Sequence, residues 1–536
     1  MTVHKEKWGD GERMQLSMKK KMLKVTNVLA TLSLAGTLAF TSSSSAEAKS
    51  TKKPFNIEEA TISDMQKALQ TGEITSVELT QMYIDRINKY DKNGVKLNSV
   101  LEINPDALDI AEELDENRKG KGNAGPLYGI PIIVKDNIDT ADNMHTSAGS
   151  IALANNIAKQ DSFVAKKLRE AGAIIIGKAN MTEWANYMTN GMPGGYSSRG
   201  GQVLNPYGRG VLGTGGSSAG TGSAIGANLA AAGIGTETSG SILSPSYRQS
   251  LVGIKPTVGL ISRSGIIPIA HSQDTAGPMT RTVTDSAILL GALTGVDEKD
   301  PVTKTSIGQV PKDYTKFLKK DGLKGARIGI DKNYLRNVSP EELVVFNEAV
   351  EDMKKQGAII IDTAEIPSRV ELNQHNSIVL SHEFKGDLNA YLESLSDEVP
   401  VHSLEELIAF NSAHEEQALA YGQARLIEAQ GRTGDLNDPE YLEDRRIDLE
   451  LSRTKGIDAV MAQYDLDALL FANSTGAGIA AKAGYPSVTV PAGYAEGTGQ
   501  PVGVTFTGKA FSEPELIKLA YSYEQATKKR VAPVLE

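Results

Sequence analysis

GTGGSSAGTGSAIGANLAAAGIGTETSGSILSPSYRQSLVGIKP, running from Gly213 to Pro256, is the stretch on which the reading of this chain turns. It holds little charge, many glycines and a dense set of serines around an apolar run from Ile225 to Ile234. Glycine reaches backbone angles closed to other residues and lets a main chain come close to a ligand. Small residues crowded in this way bring several N–H groups and hydroxyls to one place. Gly/Ser-rich segments are often flexible linkers. Linkers rarely carry an embedded apolar run or a continuation such as Leu251-Val252-Gly253-Ile254-Lys255-Pro256, so the stretch reads as part of a packed fold.

Three separated blocks resemble the amidase signature family. The first is Gly215-Gly216-Ser217-Ser218-Ala219-Gly220, the family's Gly-Gly-Ser-Ser-x-Gly turn. The second, Glu237-Thr238-Ser239-Gly240-Ser241-Ile242, matches its acidic residue and Gly-Ser-Ile beyond an apolar helix. The third is Gly129-Ile130-Pro131 followed by Val134-Lys135-Asp136-Asn137. The resemblance runs from about Ile57 to Pro533. It implies a Ser–cis-Ser–Lys amide hydrolase with Ser241 as nucleophile, Ser217 as bridge and Lys135 as base. It also implies a cis peptide at Gly216–Ser217 and an oxyanion hole from the N–H groups of Thr238, Ser239, Gly240 and Ser241.

Outward from that stretch, Ile130, Ile132, Ile133 and Val134 form a β-branched run entered through Pro131, a buried strand with Lys135 at its end. A lysine after a strand is ordinarily a surface residue. Beside Asp136, Asn137 and Asp139 it can instead project into a site at the strand's C-terminal end, where α/β proteins bind ligands. The family resemblance selects the second reading. Asp161 to Asn180 reads as helix then strand, which favours an α/β sheet. Thr75 to Glu78 has the form of a capping box ahead of a helix. Asp297 to Asp465 turns charged and helical, and reads as a variable part that covers the site and shapes substrate choice. The segments Leu469–Phe471, Ala483–Gly493 and Pro501–Phe506 alternate turn signals with β-rich runs and return to the sheet, and Glu513 to Thr527 is the closing helix.

The expected architecture is α/β: a single amidase-signature domain over 57–533, its central mixed β-sheet covered by helices on both faces. About 297–465 forms its variable helical part. Residues 1–48 have another character. Lys19, Lys20, Lys21 and Lys24 precede an apolar run from Val25 to Phe40, then a polar patch and Ala46-Glu47-Ala48. That is the anatomy of a secretory signal peptide, with residues before Met18 as an upstream extension. The run of about 16 residues is short for a membrane span, which needs roughly 20, so no stable membrane insertion is expected. A net charge of −10 argues against nucleic-acid binding through a basic surface. The absence of cysteine removes disulfides, thiolate metal sites and a Cys nucleophile.

An amide carbonyl demands a strong nucleophile, a base to generate it and a place for developing negative charge. Lysine serves as base only when neutral, and burial without a carboxylate partner lowers its pKa toward the working range. Rival motifs fail. The Gly-rich turn lacks the Lys-Ser or Lys-Thr of a P-loop. Neither serine sits in Gly-x-Ser-x-Gly, and Ser452-x-x-Lys455 lies in a charged helical segment without companion motifs. The seven histidines show no metal-ligand spacing, so neither metal nor cofactor is expected. The expectation is a secreted or wall-associated amidohydrolase acting on a small-molecule or peptide amide, with motifs most like bacterial peptide amidases. One alternative is the glutaminase component of a tRNA amidotransferase, against which stand the export signal and Leu243, where those proteins carry arginine. The other is a non-catalytic wall-associated binding protein, which the filled reactive positions disfavour.

Overall fold

Strand β2 (Pro131–Lys135) lies at the heart of the molecule because every residue in it is buried, the signature of a strand covered on both faces. A computed structural model describes residues 55–118 and 125–536. The segment read as a signal peptide, with its upstream extension, lies outside the described residues. Phe55–Glu536 forms one compact unit.

The remaining strands are β1 (Val100–Ile103), β3 (Ile174–Ala179), the short hairpin β4 (Tyr196–Ser197) and β5 (Gly201–Gln202), β6 (Ala232–Glu237) and β7 (Val252–Lys255). They continue with β8 (Thr275–Thr280), β9 (Arg327–Gly329), β10 (Ile359–Ile361), β11 (Ala468–Ala472), β12 (Ser487–Tyr494) and β13 (Pro501–Thr507). Eleven form one sheet in the order β1-β3-β2-β6-β8-β7-β12-β13-β11-β9-β10. The sheet is mixed. β3, β2 and β6 run parallel, β8 is antiparallel to β6, and β11, β9 and β10 are again parallel. Helices flank it, and the main core packs their apolar faces against the strands.

Local signals explain the elements. Thr75 and Glu78 form the expected capping box, each side chain taking the other's backbone N–H, and the helix Ser76–Arg86 follows. Ser339 and Glu342 repeat the device ahead of the helix Pro340–Lys355, with Pro340 in its first turn. The closing helix spans Glu513–Thr527.

One run is divided and one expectation needs correction. The apolar run Ile225–Ile234 takes in the end of the helix Ala219–Gly226 and the start of β6. Both are fully buried, and a short apolar run gives no period that separates helix from strand. The charged region 297–465 is not wholly helical, for β9 and β10 within it extend the main sheet. Three residues each are too few for an alternating pattern to show.

Candidate active site

Parallel pairing sets the first half of the site. Val134 of β2 pairs with Ile234 of β6, so Lys135 and Thr236 leave the C-terminal edge of the sheet side by side. The helix Ala219–Gly226 precedes β6, and Ser217 and Ser218 stand immediately before it, Ser218 at its N-cap. Ser218 Oγ is held there by the Thr236 backbone, donating to its carbonyl at 3.1 Å and accepting its N–H at 3.2 Å. The Gly216–Ser217 peptide is cis, and the Ser217 carbonyl accepts the Thr182 N–H at 3.0 Å.

Lys135 is fully buried. Its Nζ lies 2.8 Å from Ser217 Oγ, 2.8 Å from Thr236 Oγ1 and 3.3 Å from the Thr236 carbonyl. A neutral amine has two hydrogens and one lone pair. As a charged amine Lys135 donates to Ser217 Oγ and to Thr236; in the neutral form the two Thr236 oxygens can take both hydrogens, which turns the lone pair to the Ser217 hydroxyl. Burial pushes the Lys135 amine down to about 7; the more distant charges of Asp274 and Glu237 oppose it. Asn137 Nδ2 donates to Thr236 Oγ1 at 3.0 Å and steadies that acceptor.

The second half comes from the corner after β6. Glu237 Oε2 accepts the N–H groups of Ile242 at 2.7 Å and Leu243 at 2.9 Å, turning the chain into the helix Leu243–Arg248. Ser241 sits on that corner, its carbonyl accepting the Ser218 N–H at 3.2 Å, so it lies beside the Ser217–Ser218 turn. Among the described residues, the Ser241 hydroxyl donates to no protein acceptor, and no hydrogen bond joins it to Ser217. The N–H groups of Thr238, Ser239, Gly240 and Ser241 likewise find no protein acceptor among the described residues. Gly240 has φ 86°, which turns the loop without a Cβ penalty. The structure thus joins Lys135 to Ser217 directly and brings Ser241 and its free donors to the same turn.

A cleft of about 470 Å³ opens on this edge. Asn137, Thr236, Thr238 and Thr275 line its inner end, and Ala185, Ile267, Ile269, Ala390 and Tyr391 give it apolar walls. A second cleft of about 620 Å³ is lined by the Gly213–Gly216 backbone, Ser244 and Asn186. Lys135, Ser217 and Ser241 line neither cleft themselves; their neighbours Thr236 and Thr238 line the first and Gly216 the second. The helix Val379–Glu393 presents Asp387, Ala390 and Tyr391 to the first cleft at helical spacing. Its other face buries Phe384, Leu388 and Leu392 with Trp184, Ile267 and Ile269.

Sequence reading gave Thr236 no role; it placed Asn137 only as a member of a block resembling the family's, and Asp274 only in a segment resembling one that walls the family's site. Thr236 stands one residue before Glu237 inside the central stretch, and only the sheet register reveals that it faces Lys135. Histidine spacing also missed a group brought together by the fold. His271, Glu383 and Asp387 place their ligand atoms within 4.8 Å of one another, close enough to share a cation. In this structure His271 Nδ1 instead pairs with Asp387 at 2.9 Å, and Tyr441 donates to Glu383 Oε1 at 2.8 Å. Ser452 and Lys455 do not meet: the hydroxyl donates to the Asp448 carbonyl at 2.6 Å and the amine pairs with Glu450 at 2.7 Å.

Comparison with known proteins gives a consistent result. The chain matches the family described as Amidase over residues 78–517. It is 41% identical over 491 residues to a probable amidase of Arabidopsis thaliana, covering 89% of this chain and 92% of that one. The crystal structure of native peptide amidase from Stenotrophomonas maltophilia superimposes with a TM-score of 0.85 at 42% identity, covering 90% of this chain and all of the other. A component of the glutamyl-tRNA(Gln) amidotransferase of Alkalilimnicola ehrlichii is 31% identical over 488 residues, 88% of this chain and 97% of its own.

Proposed function

The chain belongs to the amidase signature family, and from that premise we propose that it hydrolyses carboxamides through an acyl-enzyme on Ser241. In this reading the Ser241 hydroxyl passes its proton to Ser217 as Ser217 passes its own to neutral Lys135. The Ser241 oxygen then bonds the amide carbon, and the carbonyl oxygen gains the negative charge. Free N–H groups of the Thr238–Ser241 loop receive that charge. The C–N bond breaks as the relay returns the proton to the departing nitrogen, releasing ammonia or an amine. Water enters by the same relay, its oxygen bonds the acyl carbon, and carboxylate leaves with Ser241 restored.

One observation carries the reading: a fully buried lysine whose amine lies 2.8 Å from the Ser217 hydroxyl with both Thr236 oxygens in reach of its remaining positions, the arrangement a neutral base needs. The binding alternative gives no reason for such an amine. Peptide amides are the proposed substrates. The cleft has room for a small ligand and carries both polar groups and apolar walls next to the site, and supporting similarity to a peptide amidase covers 90% of the chain. Similarity to an amidotransferase component, 31% identical, keeps glutamine among the substrates to be tried. Export to the wall or medium is proposed from the charge and apolar pattern of residues 1–48. No helix among the described residues is long and apolar enough to cross a membrane.

The test is ammonia release from peptide amides, fatty amides, aryl amides and glutamine by wild type and Ser241→Ala. Peptide amides should turn over fastest, with release lost in the variant. Turnover confined to glutamine would replace the substrate assignment, and release undiminished by Ser241→Ala would remove the mechanism.

A further inference from the structure

Asp274 immediately precedes β8, whose first residue, Thr275, pairs with Glu237 at the end of β6. The antiparallel register therefore sets Asp274 next to Thr238. Its Oδ1 accepts the Thr238 hydroxyl at 2.5 Å. Its Oδ2 accepts the N–H groups of Ile269 at 2.8 Å and Ala270 at 2.9 Å. Three donors thus converge on one carboxylate: one from the loop with the free N–H groups, two from the segment walling the cleft.

We propose that Asp274 is a positioning residue that clamps the Thr238–Ser241 loop to the cleft wall at Ile269–Ala270. A loop whose N–H groups must stay free for substrate cannot be fixed by those groups, so its anchors have to be side chains. Glu237 supplies one anchor, at the Ile242 and Leu243 end. Asp274 supplies the other through the Thr238 hydroxyl, and hydrogen bonds to a carboxylate are about twice as strong as neutral ones. Because Ile267 and Ile269 line the cleft, an acyl group seated against them presses on the segment that holds the donor loop. Substrate binding energy is thereby expressed where the carbonyl oxygen arrives.

The same carboxylate has an electrostatic consequence. The charged groups that face it are Lys135, Arg263 and Asp387. Burial pushes Asp274 up to about 6, against its three hydrogen bonds, so it is anionic above that pH. Its negative charge then favours protonated Lys135, as does that of Glu237.

The inference rests on Ser241 as the nucleophile. Wild type, Ser241→Ala, Thr238→Val, Asp274→Ala, Asp274→Asn and the Asp274→Ala/Thr238→Val pair are assayed on peptide amides and on acetamide. Asp274→Ala should lower kcat on peptide amides by about 100-fold, the scale of losing one oxyanion donor, with KM nearly unchanged. Thr238→Val should cost about tenfold, and the pair should be no slower than Asp274→Ala alone, because both cut one link. Preference for peptide amides over acetamide should shrink in Asp274→Ala. Asparagine can accept from Ile269 and Ala270 with its oxygen and donate to Thr238 with its nitrogen. Asp274→Asn should therefore lose less rate than Asp274→Ala, yet shift the rising limb of the pH profile to lower pH; Thr238→Val should leave the limb in place. Losses that multiply in the pair, or a rise in KM instead of a fall in kcat, would overturn the clamp; an unmoved limb in Asp274→Asn would overturn its electrostatic consequence. Should Asp274→Ala fail to fold, Thr238→Val and Asp274→Asn still decide by rate and limb. Turnover surviving in Ser241→Ala would instead sink the reading beneath it.

Discussion

Lys135 concentrates the tension between folding and function. Under the proposed relay its amine, buried and held down at about 7, must be neutral to accept the Ser217 proton. Activity should therefore rise with pH through about 7 and level off above it, seen in kcat/KM on a peptide amide under conditions where chemistry limits the rate. A flat profile from mildly acid to mildly alkaline pH would contradict the assignment. Stability has its own sign. The folded-state pKa lies below the roughly 10.4 of an exposed lysine, so the unfolded chain binds more protons between those values. The cost of burying the amine is full below about 7 and fades as pH rises toward the unfolded value. Lys135→Met should consequently raise the thermal midpoint, more at pH 6 than at pH 10, while abolishing turnover. A midpoint shift independent of pH would show that the lysine is not buried as described. The sequence marked Lys135, Ser217 and Ser241 because each sits in a motif block. Thr236 was invisible there, for its role depends on which strand lies beside β2.

At the scale of elements, the stretch Gly213–Pro256 proves to be two helices and two strands joined at a corner, with glycine where the main chain of a neighbour comes closest. Gly220 shows why. A Cβ there would lie 2.1 Å from the Asn180 carbonyl oxygen and 2.4 Å from that of Ser99. Gly220→Ala should therefore leave the chain insoluble or sharply lower its thermal midpoint, whereas tolerance would mean that the helix does not approach this closely. Glu237 governs the corner after β6. Glu237→Ala strips two buried N–H groups of their acceptor, at about 1–3 kcal/mol for each group left unpaired. Glu237→Gln keeps an oxygen and should stay near wild type in a denaturant titration. Equal midpoints for the two variants would contradict the cap. Helix starts were legible where chemistry is local, as at Thr75–Glu78. The boundary inside Ile225–Ile234 was not, since burial on every side erases the period.

For the molecule as a whole, the region between β8 and β11 meets the candidate site through one apolar cluster and a set of side-chain hydrogen bonds. Tyr391 donates to Asp139 Oδ1 at 2.9 Å, tying the helix Val379–Glu393 to the loop after β2. Phe384, Leu388 and Leu392 are each fully buried beneath it, worth about 1.5–3 kcal/mol apiece. Ala390 faces the cleft from the same helix, so Ala390→Trp should narrow it. The expected result is a fall in kcat/KM for amides with bulky acyl groups and near-normal turnover of acetamide; equal losses on both would place the acyl group elsewhere. Composition announced this region as charged and helical. It could not announce which helix reaches the site, or that three-residue strands inside it complete the sheet, because those depend on contacts far apart in the chain.

The central claim is a covalent intermediate on Ser241, generated by a neutral lysine acting through Ser217. Intact-protein mass spectrometry after acid quench, during turnover of a slowly deacylating peptide ester or amide, tests it most directly. A mass increase equal to the acyl group, mapped by proteolysis to Ser241 and absent from Ser241→Ala and Lys135→Met, is the predicted result. An adduct on another residue, or full turnover with no adduct under burst conditions, would contradict the account.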